Sequence, residues 1–333
     1  MKHNVDIKPK DNILDVNGLS VVYDIGDSVI NAVTDVSFSV GKSEKVGLVG
    51  ESGSGKSTTI LAILKLINSP GRITGGSISL SGQDVSKFSE NNFRKIRFKD
   101  VSFIPQGAMN ALNPVMKIGE QIGDLFHPHG FFINKQEKSQ RIKEALNSVK
   151  LESEVANLYP HELSGGMKQR VCIAMATILS PKLIIADEPT SALDVVVQMQ
   201  VFETLEELRQ KIGASVLIVG HDMGVMAQFT DKIGVMYAGE LVEFNDTAGI
   251  FDSPLHPYTA RLIKSLPSID NRGDLVGIPG IPPSLSEPII GCSFAERCSV
   301  KLDLCDSLKP DYVSNDSGHC VACHLVSNGF NKP

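Results

Sequence analysis

A short apolar run, Lys45-Val46-Gly47-Leu48-Val49, feeds directly into Gly50-Glu51-Ser52-Gly53-Ser54-Gly55-Lys56-Ser57, and apolar residues then recur at Ile60, Ile63, Leu64 and Ile67. The run has the length of a buried strand, and the later spacing is that of one helix face. Between them, glycines let the backbone curl so that successive N–H groups point inward at an anion. The helix that follows adds unpaired N–H donors and the positive end of its dipole. The order G-x-x-x-x-G-K-[ST] between a strand and a helix is that of a nucleotide phosphate loop rather than an ordinary Gly/Ser-rich turn. Lys56 would neutralise charge on the β/γ-phosphates, Ser57 would ligate Mg²⁺ and Thr58 would reach the α-phosphate.

A second run, Leu183-Ile184-Ile185-Ala186, ends in Asp187-Glu188. Adjacent acidic residues at a strand end are common on surfaces. In a chain with a phosphate loop they place a carboxylate at the mouth of a parallel sheet, where ligands bind. Asp187 would hold Mg²⁺ through water, and Glu188 would polarise the attacking water as general base. Val216-Leu217-Ile218-Val219 is a further short apolar run, and a helical pattern at about 195–212 separates the two. Strand-like alternation spans Ile13 to about Val40 with a turn at Gly26-Asp27, and the stretch from about 87 to 180 reads as mostly helical. Strands alternating with helices predict an α/β domain with a largely parallel sheet.

Composition narrows the class. The 333 residues are 42% hydrophobic and 21% charged, which describes a folded chain, and 32 basic against 38 acidic residues give a net charge of −6. That balance speaks against a nucleic-acid-binding surface as the main activity. No run approaches 18 apolar residues, so the sequence predicts no membrane span, and Met1-Lys2-His3-Asn4-Val5-Asp6 lacks the apolar stretch of a signal peptide. The reading is therefore a chain that stays in the cytoplasm.

Leu163-Ser164-Gly165-Gly166-Met167 precedes a long helical pattern, with Ser164 a suitable N-cap and the glycines exposing N–H groups at a helix start. Alone this is a helix cap; beside a phosphate loop it is a second anion-binding end. Here the chain resembles the nucleotide-binding subunits of ABC transporters. That resemblance implies a P-loop NTPase with an N-terminal antiparallel β subdomain, a helical subdomain at about 90–180 and a small Cys-rich C-terminal extension. It divides the chain into a disordered tail at 1–11, an ATPase domain at 12–260 and a Pro-rich and Cys-rich extension at 261–333.

What the resemblance assigns to residues follows the same order. Tyr23 stands where the family stacks an aromatic on adenine. Gln106, after Val101-Ser102-Phe103-Ile104-Pro105, matches the glutamine that senses Mg²⁺ and the attacking water. Ser191-Ala192-Leu193-Asp194 match the loop that crosses the interface of a head-to-tail dimer, and His221 the histidine on the γ-phosphate. Ser164, Gly165 and Gly166 would close over the nucleotide held by the other subunit. The chain departs from the family at Met167, where Gln is usual, at Gly107, where an acidic residue is usual, and at Gly220, where Thr is common. Asn134-Lys135-Gln136-Glu137 faintly resembles a guanine-reading motif but lies before the acidic strand, which leaves ATP as the nucleotide.

Tyr159-Pro160-His161-Glu162, Asp222-Met223-Gly224-Val225, His256-Pro257-Tyr258-Thr259 and Pro279-Gly280-Ile281-Pro282-Pro283 resemble the dipeptide/oligopeptide importer branch. The resemblance implies an ATP-hydrolysing motor on the cytoplasmic face of the membrane, held there peripherally. Its partners would be a second ATPase subunit, two membrane permease subunits and an extracytoplasmic solute-binding protein, with no nucleic acid. Importers of nickel or oligosaccharides share the architecture; a soluble ABC ATPase of DNA repair or translation is the reading from another class.

The cysteines are skewed: one in residues 1–291 and five in 292–333. In a reducing compartment such clustering reads first as a metal or cluster site. Cys292, Cys298, Cys305 and Cys320 stand as Cys-x5-Cys-x6-Cys-x14-Cys, and four thiolates suit either a [4Fe-4S] cubane or tetrahedral zinc. The resemblance favours the cluster, in a structural role, with Cys323 and His324 as substitute ligands. Cys172 reads as a small core residue.

Overall fold

The structure, a computed structural model, describes residues 12–107, 110–191, 193–266, 277–315 and 318–327. In chain order the elements are β1 (Asn12–Ile25), β2 (Ser28–Gly41), β3 (Lys45–Val49), α1 (Lys56–Ile63), β4 (Gly71–Leu80), β5 (Gln83–Asp84), α2 (Glu90–Ile96), β6 (Val101–Ile104), α3 (Ile118–Gly123), α4 (Lys135–Ser148), α5 (Gly165–Thr177), β7 (Leu183–Asp187), α6 (Val195–Ile212), β8 (Ser215–Gly220), α7 (Met223–Phe229), β9 (Lys232–Tyr237), β10 (Glu240–Asp246), α8 (Thr247–Asp252), α9 (Pro257–Lys264), β11 (Tyr312–Ser314), β12 (Cys320–Ala322) and α10 (His324–Ser327). They form two compact units: one of residues 12–15, Ser39–Glu44 and Ser79–Ile218, the other of Val16–Phe38, Lys45–Ile78 and the chain from Val219 on.

In the first unit β8, β7 and β6 lie side by side in that order, and β6 pairs with β7 in parallel, Val101 opposite Leu183 and Ile104 opposite Ala186. Ile184 and Ile185 of β7 and Leu217 of β8 are fully buried with Val171 and Ile173 of α5 and Leu205 of α6. The ends of α6 follow helix-capping chemistry. Asp194 accepts from the Val197 N–H at 3.0 Å, and Gly213 closes the helix in the left-handed region at φ +69°. β6 departs from the mostly helical reading of 87–180. Four residues of Val-Ser-Phe-Ile carry no period of their own, and their pairing with β7 makes them a strand. The guanine-like Asn134–Glu137 stretch is a helix start, with Asn134 accepting from the Glu137 N–H at 2.9 Å.

In the second unit β2, β1 and β4 lie side by side, and a further run of paired strands follows the order β11-β12-β10-β9-β3. β3 pairs with β9 in parallel, Leu48 opposite Gly234, and β9 turns back antiparallel into β10. The C-terminal segment supplies β12, which pairs with the free side of β10, Glu243 opposite Val321. The tail thereby covers a sheet edge that would otherwise present unpaired backbone groups. α1 ends at Ile63, short of the apolar pattern that reached Ile67; Leu64 is its C-cap and Lys65 turns the chain at φ +54°.

Glu243, on β10, is fully buried. Its carboxylate accepts from the N–H groups of Leu255 at 2.6 Å and His256 at 3.0 Å, and faces Nε2 of His319 at 2.7 Å. One side chain thus ties β10 to the start of α9 and to the C-terminal segment. Burial pushes the His256 imidazole down to about 4, with Glu243 opposing, and its Nδ1 accepts from the Tyr258 N–H at 3.0 Å as the α9 cap. Replacing Glu243 by Leu strips the Leu255 and His256 N–H groups of their acceptor and His319 of its carboxylate partner. Glu243→Leu is expected to lower unfolding stability by about 3 kcal/mol or more in urea titration; a loss below about 1 kcal/mol would show that the pin is dispensable.

Candidate functional site

The turn after β3 takes the curled path its glycines allow. Gly50, Gly53 and Gly55 have φ of +151°, +77° and +98°. A Cβ on Gly50 would lie 2.1 Å from the carbonyl oxygen of Met236, and one on Gly55 would lie 2.5 Å from that of Ala32. The loop therefore lies against the end of β9 with no room for side chains at these two positions. α1 begins at Lys56 with Gly55 as N-cap, no side-chain cap and no acidic residue in its first turn. The N–H groups of its first turn and the dipole's positive end suit an anion.

Lys56 is buried, and its Nζ donates to the carbonyls of Gly50 and Glu51, both at 2.8 Å, and to Ser54 Oγ at 3.1 Å. The ammonium lies across the mouth of the loop that its own backbone forms. Tyr23 is half-buried with its ring against Gly71, where an added Cβ would stand 2.6 Å from Cε1. His221 follows β8 at an exposed position. Gly220 beside it leaves space for Met226, whose Cε would lie 2.8 Å from a Cβ there, so a branched Thr would displace that methionine.

The other expected residues belong to the first unit. Asp187 closes β7 and is buried; Glu188 follows it in the left-handed region at φ +44°. Gln106 Nε2 donates to Glu188 Oε2 at 2.9 Å, which brings two residues 82 positions apart into one hydrogen-bonded pair. Ser164 caps α5, its Oγ accepting from the Met167 N–H at 3.3 Å. Gly166 packs on α6, where a Cβ would meet Val197 Cγ1 at 2.8 Å. The Ser191 N–H donates to the Glu188 carbonyl at 3.1 Å, and the Leu193 N–H to that of Thr190 at 3.2 Å, so this loop turns tightly into the Asp194 cap. Ala192 lies outside the described residues.

The structure divides the five cysteines of the extension. Cys292, Cys298, Cys305 and Cys323 line one small cavity with Phe294, His324 and Leu325, and Cys320 is not among its walls. Cys320 is held in β12, opposite Phe244 and Ser314, and its thiol points at the Gly318 carbonyl. Cys323 leaves the strand and is buried. His324 has its Nε2 on the Leu308 carbonyl at 2.8 Å. Burial, and then the neighbouring cysteines, pushes Cys292 up to about 12, and burial pushes Cys323 up to about 11 and raises Cys298. Among the described residues no three of His, Cys, Asp and Glu converge closely enough to hold one metal ion.

Sequence reasoning missed the residues that grip Glu51. Its carboxylate receives two bonds from Arg297, at 2.6 and 2.9 Å, and its N–H donates to the Tyr258 hydroxyl at 2.9 Å. No local pattern announces a contact across 246 positions.

Residues 33–191 match the ABC transporter family, and residues 242–305 match the C-terminal region of oligopeptide/dipeptide transporters. The dipeptide transport ATP-binding protein DppD of Caldanaerobacter subterraneus is 41% identical over 95% of this chain and 98% of its own. The chain belongs to the ATP-binding proteins of ABC transporters. Another family member, the oligopeptide transport ATP-binding protein AppD of Bacillus subtilis, is 44% identical over 94% of this chain and 96% of its own. A solved ATP-binding cassette, a dimer in a post-hydrolysis state bound to ADP and phosphate, superposes with a TM-score of 0.63 at 29% identity, over 70% of this chain and 98% of that one. The ABC ATP-binding fold expected from the motifs is the fold found, and the family's activity is ATP hydrolysis. Among the described residues no helix is long and apolar enough to cross a membrane.

The tight glycines of this ABC protein give an ordering that unfolding can check. Gly50→Ala is expected to cost about 3 kcal/mol, from strain and a carbonyl overlap. Gly53→Ala, with open space around its Cβ, costs about 1 kcal/mol from φ alone. Equal losses would mean that the Met236 carbonyl does not constrain the loop.

Proposed function

We propose that this protein is the ATP-hydrolysing subunit of a membrane importer for di- and oligopeptides, and that it acts in a dimer with a second ATPase subunit. The observation that carries the reading is the cradle itself: a glycine-built loop closed by Lys56 and opening onto an uncapped α1. The relatives' transport roles and the match of the C-terminal segment supply the cargo class. The layout that accompanies it is an ATPase body at 12–260, with a helical part at about 90–180, and an extension at 261–333. Membrane permease subunits and an extracytoplasmic binding protein complete the importer, and the chain sits peripherally on the cytoplasmic face.

In this mechanism the N–H groups of residues 50–58 and the Lys56 ammonium hold the phosphates, and Tyr23 stacks on adenine. Ser57, Gln106 and Asp187 would hold Mg²⁺, which would neutralise charge on the phosphates. Glu188, oriented by Gln106, takes a proton from the attacking water, and His221 holds the γ-phosphate. Ser164, Gly165 and Gly166 close the site from the other subunit, and Ser191–Asp194 cross the dimer interface. Lys56→Ala is expected to abolish ATP binding measured by calorimetry. Glu188→Gln is expected to keep binding and lose about 10²-fold or more in turnover. Full turnover in Glu188→Gln sinks the base assignment.

The cysteine extension is read as the holder of a [4Fe-4S] cluster on Cys292, Cys298, Cys305 and Cys323. Four thiols around one cavity, those of Cys305 and Cys323 buried and those of Cys292 and Cys298 half-buried, support this, because clustered thiols become thiolates only beside compensating positive charge. Four thiolates also suit tetrahedral zinc, which metal analysis separates from iron. Iron and sulfide analysis after anaerobic purification tests it: Cys323→Ser is expected to lose the iron and Cys320→Ser to keep it. Zinc in place of iron, or loss of iron in Cys320→Ser, overturns the assignment.

A further inference from the structure

Arg297 lies between two cysteines of the extension, is 7% exposed, and uses all five of its N–H donors. Nη1 donates to Glu51 Oε2 at 2.6 Å and to the Tyr237 hydroxyl at 3.2 Å. Nη2 donates to Glu51 Oε1 at 2.9 Å and to the Ile278 carbonyl at 3.1 Å, and Nε to the Pro279 carbonyl at 3.0 Å. Gly280, at φ +85°, closes over its stem, where a Cβ would stand 3.0 Å from Cγ. The rings of Tyr237 and Phe294 lie 5.6 and 6.0 Å from the guanidinium. A side chain saturated in this way cannot move without breaking a fixed set of bonds.

What it holds is the second residue of the phosphate loop. Glu51 is gripped at all three of its polar groups: the carboxylate by Arg297, the N–H by Tyr258, the carbonyl by Lys56. A carboxylate on a loop built for a polyanion has two possible effects. Unpaired, it repels the triphosphate; paired in a bidentate fork, its charge is met and its backbone is fixed.

We propose that Arg297 is a positioning residue for the nucleotide site: through Glu51 it fixes and neutralises the phosphate loop, so that order in the cysteine-bearing extension is read out as affinity for ATP. This rests on the reading of residues 50–57 as the ATP phosphate loop. The loop's N–H groups contact phosphate in both the ground state and the transition state. Their misplacement therefore raises KM and leaves kcat largely unchanged.

The test is steady-state ATP hydrolysis and calorimetric ATP binding by the complete importer carrying Arg297→Met, Arg297→Lys, and Arg297→Met combined with Glu51→Gln. Arg297→Met is expected to raise KM and Kd for ATP about ten-fold, within the range of coupled sites, with kcat within two-fold of wild type. Arg297→Lys keeps the charge but not the fork and raises them about three-fold; it carries the test if Arg297→Met does not fold. Adding Glu51→Gln removes the uncompensated carboxylate and is expected to recover much of the Arg297→Met loss. Unchanged KM in both single variants overturns the proposal, as does a parallel fall in kcat that Glu51→Gln does not rescue, which is the mark of a merely structural residue. Lys56→Ala separates the two levels: if it too binds ATP normally, the loop assignment fails, whereas lost binding there with normal Arg297 variants sinks this inference alone.

Discussion

The backbone from Gly50 to Gly55 lies so close to neighbouring carbonyls that only hydrogen fits at two of its positions. Much else follows from that close approach. It lets Lys56 fold back over its own loop and starts α1 with Gly55 as its N-cap. The loop is seated against β9, the parallel neighbour of β3, so the sheet register and the anion cradle are one geometrical fact.

Around this loop the C-terminal segment is held by polar pins as well as apolar contacts. Glu243 accepts from two backbone N–H groups and faces His319, while Arg297 meets Glu51, Tyr237 and two carbonyls. Between them Tyr237, Tyr258 and Phe294 pack in tilted and edge-to-face pairs with ring centroids 4.6 to 5.4 Å apart. Buried ionic groups contribute little net stability over apolar replacements but are costly to break singly. They make docking of this segment specific, since a shifted segment would leave buried charges unmet.

Contiguous chemistry was legible in the sequence. The phosphate loop, the Ser164 cap, the Asp187-Glu188 strand end and the helix at 195–212 each lie within a few residues, and their local pattern is their cause. What the pattern missed is what distant partners decide. β6 is a strand because β7 pairs with it; α1 stops at Ile63 although apolar spacing runs on to Ile67. Counting cysteines could not show that strand pairing places Cys320 in β12 while Cys323 lines the cavity. The Gln106–Glu188 bond spans 82 positions and the Arg297–Glu51 fork spans 246; neither leaves a periodic trace.

The central claim is that ATP held by this loop drives peptides across a membrane through companion subunits. Uptake of a labelled peptide into vesicles that carry the complete importer, with ATP on the side of this subunit, tests it most directly. The account predicts peptide uptake that requires ATP and stops when the companion binding protein is withheld. Undiminished uptake without ATP, or ATP-driven uptake of a metal ion or sugar with none of peptide, would contradict it.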